Sequence, residues 1–255
     1  MSKSEACAAS LLLPDWPVAT TVRACVTTRA GGVSVAPFDS FNLASHVGDD
    51  FQHVQQNRQR LIDMASMPTK PCWLNQVHGR QIVDAAVACQ KKPSDADASY
   101  ATQAGIVCSV LTADCLPVLF TDKAGSCVAV AHAGWRGLVD GVLEATVEQL
   151  PAAPESILAW LGPAIGATAF EVGEEVRAVF ISRHAASAQA FVPARQPSKW
   201  YADIYALATI RLASVGVTAI YGGGFCTWSD AERFYSFRRD GQTGRMATTI
   251  WLESS

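Results

Sequence analysis

The sequence has no Cys-x-x-Cys pair, no run of basic residues, and no apolar stretch near the ~20 residues that a membrane-spanning helix needs. Each absence removes a class of function. Neither sign of charge dominates, the net being −3 over 255 residues. A polyanion-binding surface needs local Lys/Arg density, so nucleic acid is not an expected partner. Histidine is scarce, at five residues, which leaves few ligands for a copper oxidase that works through several metal ions. Eight cysteines are scattered without the spacing of a small disulfide-bonded domain. Reduced, mostly buried thiols are the expectation. The apolar triplet Leu11–Leu13 is too short for a signal-peptide core. These absences together predict a cytoplasmic protein with no membrane partner.

What is present centres on Thr112 to Gly137. Two apolar runs, Leu116–Phe120 and Cys127–Ala131, flank Asp122-Lys123-Ala124-Gly125. Asp at the first position and Gly at the fourth suit a type I turn, so the stretch reads as a β-hairpin. A centre between Lys123 and Ala124 would pair residues whose numbers sum to about 247. Cys115 and His132 meet that condition, and their Cβ atoms would lie roughly 5 Å apart. A bulge in the turn would slip this register.

Elsewhere, Val22–Thr28, Cys72–Val77, Gln81–Ala86, Ile106–Leu111, Ile157–Leu161, Val217–Tyr221 and Met246–Leu252 read as strands. A helix follows Asp49-Asp50, which sit where an N-cap belongs, and Pro68 and Pro71 end it. Leu138–Leu150, Glu174–Ile181 and Ile204–Val215 read as further helices. Residues 91–96 read as a surface loop. Strands and helices mix without a strict βαβ rhythm. The expected fold is therefore a single α/β (α+β) domain over 21–255, with mixed sheets and helices, behind an N-terminal lead-in at 1–20.

Three groups of residues bear chemistry. Cys115, His132 and His78, the last at a strand end in Asn75-Gln76-Val77-His78-Gly79, form a Cys/His set. Catalytic zinc takes three protein ligands and keeps one position open, and a thiolate with two imidazoles suits zinc or copper. The same Cys115 and His132 would serve as nucleophile and base in a cysteine hydrolase. A buried thiol beside a hydrogen-bonded core histidine is the plain alternative. Arginines beside glycines form the second group: Arg29, Arg136 and the pair Arg238-Arg239. Their planar forks match phosphate or carboxylate if they converge, and otherwise they are solvated surface residues. Third, Gly222–Gly224 could cradle a ligand or simply turn the chain.

Five motifs then carry a resemblance: NQVHG at 75–79, TADCLPVLF at 112–120, AHAGWRG at 131–137, LGPAIG with FEVG at 161–173, and RRDG with TGRMA at 238–247. Together with TTRAGGVS at 27–34 they resemble the YfiH-type laccase-domain family, described as polyphenol-oxidase-like and as purine nucleoside phosphorylases. The resemblance runs over nearly the whole chain. It implies that His78, Cys115 and His132 bind a metal, zinc more often than copper. It also implies layered mixed sheets like those of cysteine-hydrolase toxins. The implied activities are phosphorolysis of adenosine, inosine and methylthioadenosine, with inorganic phosphate as co-substrate, and deamination of adenosine. Zinc would acidify a water for attack at C6 of adenine. His46, in NLASHVGDD, is the candidate acid/base. Gln76, Arg29, Arg136 and Arg239 are the candidates for holding substrate and phosphate. Editing of peptidoglycan precursors by an amide hydrolase, and copper-dependent phenol oxidation, are the alternatives. A homodimer is a candidate assembly.

Overall fold

A computed structural model describes residues 10–88 and 93–254. Its centre is a six-stranded mixed sheet. The strands are β3 (Ile82–Asp84), β4 (Ala98–Ala101), β6 (Leu116–Asp122), β7 (Val128–Ala133), β8 (Ile157–Leu161) and β12 (Ala219–Gly222), in the order β12-β8-β6-β7-β4-β3. Every residue of β6, β7 and β8 is buried. Strands covered on both faces read as continuous apolar runs, which is why the sequence marks them so plainly.

The two faces are sorted by alternation. Leu116, Val118 and Phe120 of β6, with Ala129, Ala131 and Ala133 of β7, point to a helical layer. That layer holds α3 (Trp135–Asp140), α4 (Val142–Gln149), α5 (Glu174–Arg183) and α6 (Ile204–Ser214). Leu119, Val128 and Val130 point the other way, into a second sheet. This sheet joins β1 (Leu11–Leu12), β2 (Val22–Thr27), β5 (Cys108–Thr112) and β13 (Met246–Leu252) in the order β1-β2-β13-β5, all antiparallel. Its inner face gives Val22, Val26, Val110 and Ile250 to the space between the sheets. Its outer face gives Cys25, Leu111, Ala247 and Trp251 to a third apolar layer with Leu61 of α1 (Phe51–Met64). The molecule is thus stacked helix–sheet–sheet–helix. A three-stranded antiparallel sheet, β10 (Phe191–Pro193), β11 (Lys199–Ala202) and β9 (Glu171–Gly173), flanks the helical side.

Several expectations need correction. Leu11 and Leu12, inside the expected lead-in, pair with Thr27 and Val26. The helix expected over Leu138–Leu150 is two helices, because Gly141 adopts φ +94° and ends α3. Of the strand expected over Cys72–Val77, only isolated bridges at Cys72 and Asn75 exist. Residues 91 and 92 of the expected loop lie outside the described residues. Among the described residues Cys25, Cys108, Cys115, Cys127 and Cys226 are not in disulfides, but Cys72 is disulfide-bonded, against the expectation of reduced cysteines.

The hairpin turn forms where expected, with Gly125 N–H donating to Asp122 O at 3.0 Å. The register differs. Pro117 pairs with His132 and Leu116 with Ala133, so the paired numbers sum to 249. The loop runs two residues further because the Asp122 carboxylate also accepts from the N–H groups of Ser126 (2.7 Å) and Cys127 (3.3 Å). An even shift keeps every side chain on its face. Cys115 therefore leads into β6 one step beyond the pairing, yet stays on the side of His132.

Candidate metal centre

The space between the two sheets is apolar along Val110, Val128 and Val130. By parity, Thr112 continues the Val110 face of β5 and His132 continues the Val130 face of β7. At this end of the inter-sheet layer the side chains turn polar and a cavity of about 420 Å³ opens. His46, His78, Asp114, Cys115 and His132 are among the residues that line it.

His78, Cys115 and His132 offer ligand atoms that all lie within 4.8 Å of one another. The imidazoles meet edge-to-face with centroids 4.8 Å apart. Gly134, directly after β7, makes this convergence possible. A Cβ there would lie 2.8 Å from His78 Nδ1 and 3.2 Å from Cys115 Sγ. A larger residue would fill the space that the three side chains share.

Asp97, fully buried just before β4, holds the group together. Its Oδ1 is 2.8 Å from His132 Nδ1 and accepts the His78 N–H at 2.9 Å. Its Oδ2 accepts the N–H groups of Val77 (3.2 Å) and Gly79 (2.7 Å). One carboxylate thus fixes the turn that carries His78 and the ring of His132. With Nδ1 held, Nε2 is the His132 nitrogen left to face the other ligands. A carboxylate behind a ligating histidine is the arrangement that orients and strengthens metal ligands. His78 and Asp114 both adopt left-handed backbone, φ +58° and +86°, at a cost of about 1–3 kcal/mol each. Bonds from Ile165 N–H to Asp114 O, and from Thr227 Oγ1 and Arg238 N–H to its carboxylate, hold the second of these.

The electrostatics follow from this wiring. Burial presses the His132 pKa down, but Cys115 and the Asp97 carboxylate outweigh it and raise it from 6.5 to about 9. Burial, with the neighbouring His132 charge, lowers His78. Burial pushes Asp97 up, but the hydrogen bonds from His132, Gly79 and His78 win and leave it below the usual carboxylate range. One sulfur and two imidazoles, held this close with an oriented donor, fit a zinc-type site with an open fourth position.

A family model described as multi-copper polyphenol oxidoreductase laccase matches residues 23–253. The purine nucleoside phosphorylase of Pseudomonas aeruginosa is 55% identical over 242 residues, covering 95% of this chain and 98% of its own. The Escherichia coli purine nucleoside phosphorylase YfiH is 53% identical with the same coverage. The crystal structure of Neisseria meningitidis protein NMB0706 superposes with a TM-score of 0.92 at 45% identity, covering 96% of this chain and all of its own. The chain belongs to the YfiH-type laccase-domain family.

Within this YfiH-type fold the remaining sequence-derived candidates separate. His46 and Arg136 line the cavity. Burial lowers His46, and the charges of Arg245 and Arg58 lower it further, so it is neutral at pH 7. Gln76 lines the cavity too, but its side-chain amide is occupied. Nε2 donates to Leu111 O at 2.9 Å and Oε1 accepts Leu111 N–H at 2.8 Å. It ties the His78 loop to the end of β5. Arg29 lies outside the cavity lining, bonded to Asp39 and to Ala231 O. Arg239 also lies outside. Its guanidinium bonds Thr227 O, Trp228 O, Phe234 O and both Asp240 oxygens. The arginines that do line the cavity, besides Arg136, are Arg238 and Arg245. Both stood inside quoted motifs, RRDG and TGRMA. Sequence reasoning missed Asp97 altogether, since a lone Asp in a polar segment carries no signal of its own.

Proposed function

We propose that this chain is a metal-dependent purine nucleoside phosphorylase. Its substrates are adenosine, inosine and methylthioadenosine, and it also deaminates adenosine. The observation that carries the reading is a cavity of mixed lining. It holds the His78–Cys115–His132 set together with Trp135, Ile165, Phe170, Ile204 and Phe237. An apolar, aromatic portion suits a flat purine, and the volume suits a small molecule. The relatives named purine nucleoside phosphorylase support the same reading.

His78, Cys115 and His132 would hold the metal, zinc or copper, and when bound it supplies Lewis acidity at an open position. The chain's own groups do the rest. The aromatic wall binds the base and excludes water. Arg136, Arg238 and Arg245 give the cavity a cationic rim for phosphate. An oxygen of hydrogen phosphate bonds C1′, the C1′–N9 bond breaks, and the bonding pair leaves with the purine. The phosphate's proton ends on the base. His46, neutral and cavity-lining, is the group that would relay it. The outcome is free base and ribose 1-phosphate.

The deciding measurement pairs elemental analysis with product detection. Purified protein is given adenosine with and without phosphate, and adenine and inosine are followed. Expected are about one zinc per chain, phosphate-dependent adenine release, and loss of both metal and turnover in Cys115→Ala. Full phosphorolysis by a zinc-free Cys115→Ala protein overturns the metal-centred reading. A metal-free wild type that turns over no nucleoside overturns the phosphorylase reading too.

A further inference from the structure

Thr112 and Arg245 both line the cavity and both keep polar atoms unbonded among the described residues. Thr112 is only 2% exposed, yet its Oγ1 has no hydrogen-bond partner. Leaving a buried hydroxyl unbonded is costly, and at a cavity wall a ligand oxygen would remove that cost. Thr112 lines the cavity and pairs across β5–β13 with Met246, the residue after Arg245.

Arg245 is the second group. Its Nη1 is anchored by Thr243 O at 2.8 Å and Gly244 O at 3.0 Å. Its Nε and Nη2 donate to no protein group among the described residues, and no carboxylate pairs with it there. The one nearby carboxylate, Asp114, has both oxygens occupied by Thr227 and Arg238 N–H. A half-buried guanidinium with a free edge and no counter-ion presents a bidentate fork to an oxyanion.

We propose that Thr112 Oγ1 and the free edge of Arg245 form the subsite that binds inorganic phosphate, at the end of β5 beside the metal centre. The assignment rests on the phosphorylase reading for its choice of anion, and it goes beyond it by naming the atoms. It also divides labour among the arginines. Arg245 is held from behind by two carbonyls and fixes the phosphate. Arg136 has its guanidinium stacked 4.4 Å from the Trp135 ring and lies at the exposed rim.

The test uses Thr112→Val, which matches the shape and removes only the hydroxyl, and Arg245→Gln. Binding of inorganic phosphate to the zinc-loaded protein is measured by calorimetry, and steady-state KM values are measured for phosphate and for inosine. Each variant is expected to weaken phosphate binding and raise its KM by about 10-fold or more. Zinc content and the inosine KM should stay within two-fold of wild type. Phosphate affinity unchanged in Thr112→Val and in a folded Arg245→Gln overturns the subsite, as does a wild type that binds no phosphate. If wild type binds phosphate, both variants lose it and no nucleoside is cleaved, the subsite stands and the phosphorylase reading falls.

Discussion

Two parts of the cavity lining are built differently. The His78–Cys115–His132 cluster hangs on the turn at His78 and on the ends of β6 and β7, strands buried on both faces, and one fully buried carboxylate, Asp97, organises it. The arginine wall hangs on the chain from 226 to 245, which is mostly turn apart from one short helix, α7 (Phe237–Asp240). There the organiser is Arg239, which gathers three backbone carbonyls and Asp240. The cluster gathers three side chains from two rigid strands and one turn that Asp97 fixes. The arginine wall carries no metal ligand and is placed by a cross-braced loop. The difference teaches that ligand geometry and anion binding rest on different supports, joined where Thr227 Oγ1 and Arg238 N–H grip the Asp114 carboxylate.

The largest expected effect is at Gly134. Gly134→Ala puts a methyl within 2.8–3.5 Å of all three ligands, so zinc should be lost from the purified protein and turnover with it. Elemental analysis reads this directly; a stoichiometrically loaded variant would deny the shared space. Next comes Asp97→Asn, which should weaken zinc binding by ~10–100-fold, as removal of such supporting carboxylates does. A zinc competition assay with a chelator measures it, and phosphate binding should be untouched. Arg239→Gln should do the reverse. It should lower stability by about 1–3 kcal/mol through carbonyls left unpaired and raise the phosphate KM while zinc stays bound. Loss of zinc there would join the two walls into one unit.

The smallest effect is in pH. The metal-free folded state holds His132 at about 9 against an ordinary 6.5. A raised pKa stabilises the fold below the unfolded value, and that stabilisation fades as pH climbs through the folded value. Chelated protein should therefore lose thermal stability from pH 6.5 to 9. His78 and His46 are shifted downward and act below that window. The zinc-loaded protein should not share the decline, since metal binding strengthens as protons leave its ligands. Parallel melting curves with and without chelator would show the divergence.

The sequence made the central strands legible because doubly buried strands are apolar without interruption. Ile157–Leu161 and Met246–Leu252 match β8 and β13 residue for residue. It also made α1 legible, through Asp50, whose carboxylate accepts from Gln52 and His53 N–H. The cluster of His78, Cys115 and His132 was nameable because its residues sit in dense local motifs. The small sheet of β9, β10 and β11 was not, since three- and four-residue strands carry too few alternations to read. Nor was the division among arginines. Arg238 and Arg239 are neighbours, yet one lines the cavity and the other braces the loop. Which edge a guanidinium presents depends on carbonyls supplied by the folded loop, and composition holds no trace of that. The pairing register failed for a similar reason, because Asp122 recruited two more N–H groups than a four-residue turn requires.

The position of β13 sets an order of assembly during synthesis. His78, Cys115 and His132 have all been made once residue 132 is reached, but β13 lies between β2 and β5 and brings Arg245 with it. At ~5–20 residues per second, roughly 6–24 s separate translation of residue 132 from that of residue 252. Through that interval the nascent chain holds the whole His78–Cys115–His132 set in a molecule whose second sheet is still missing its middle.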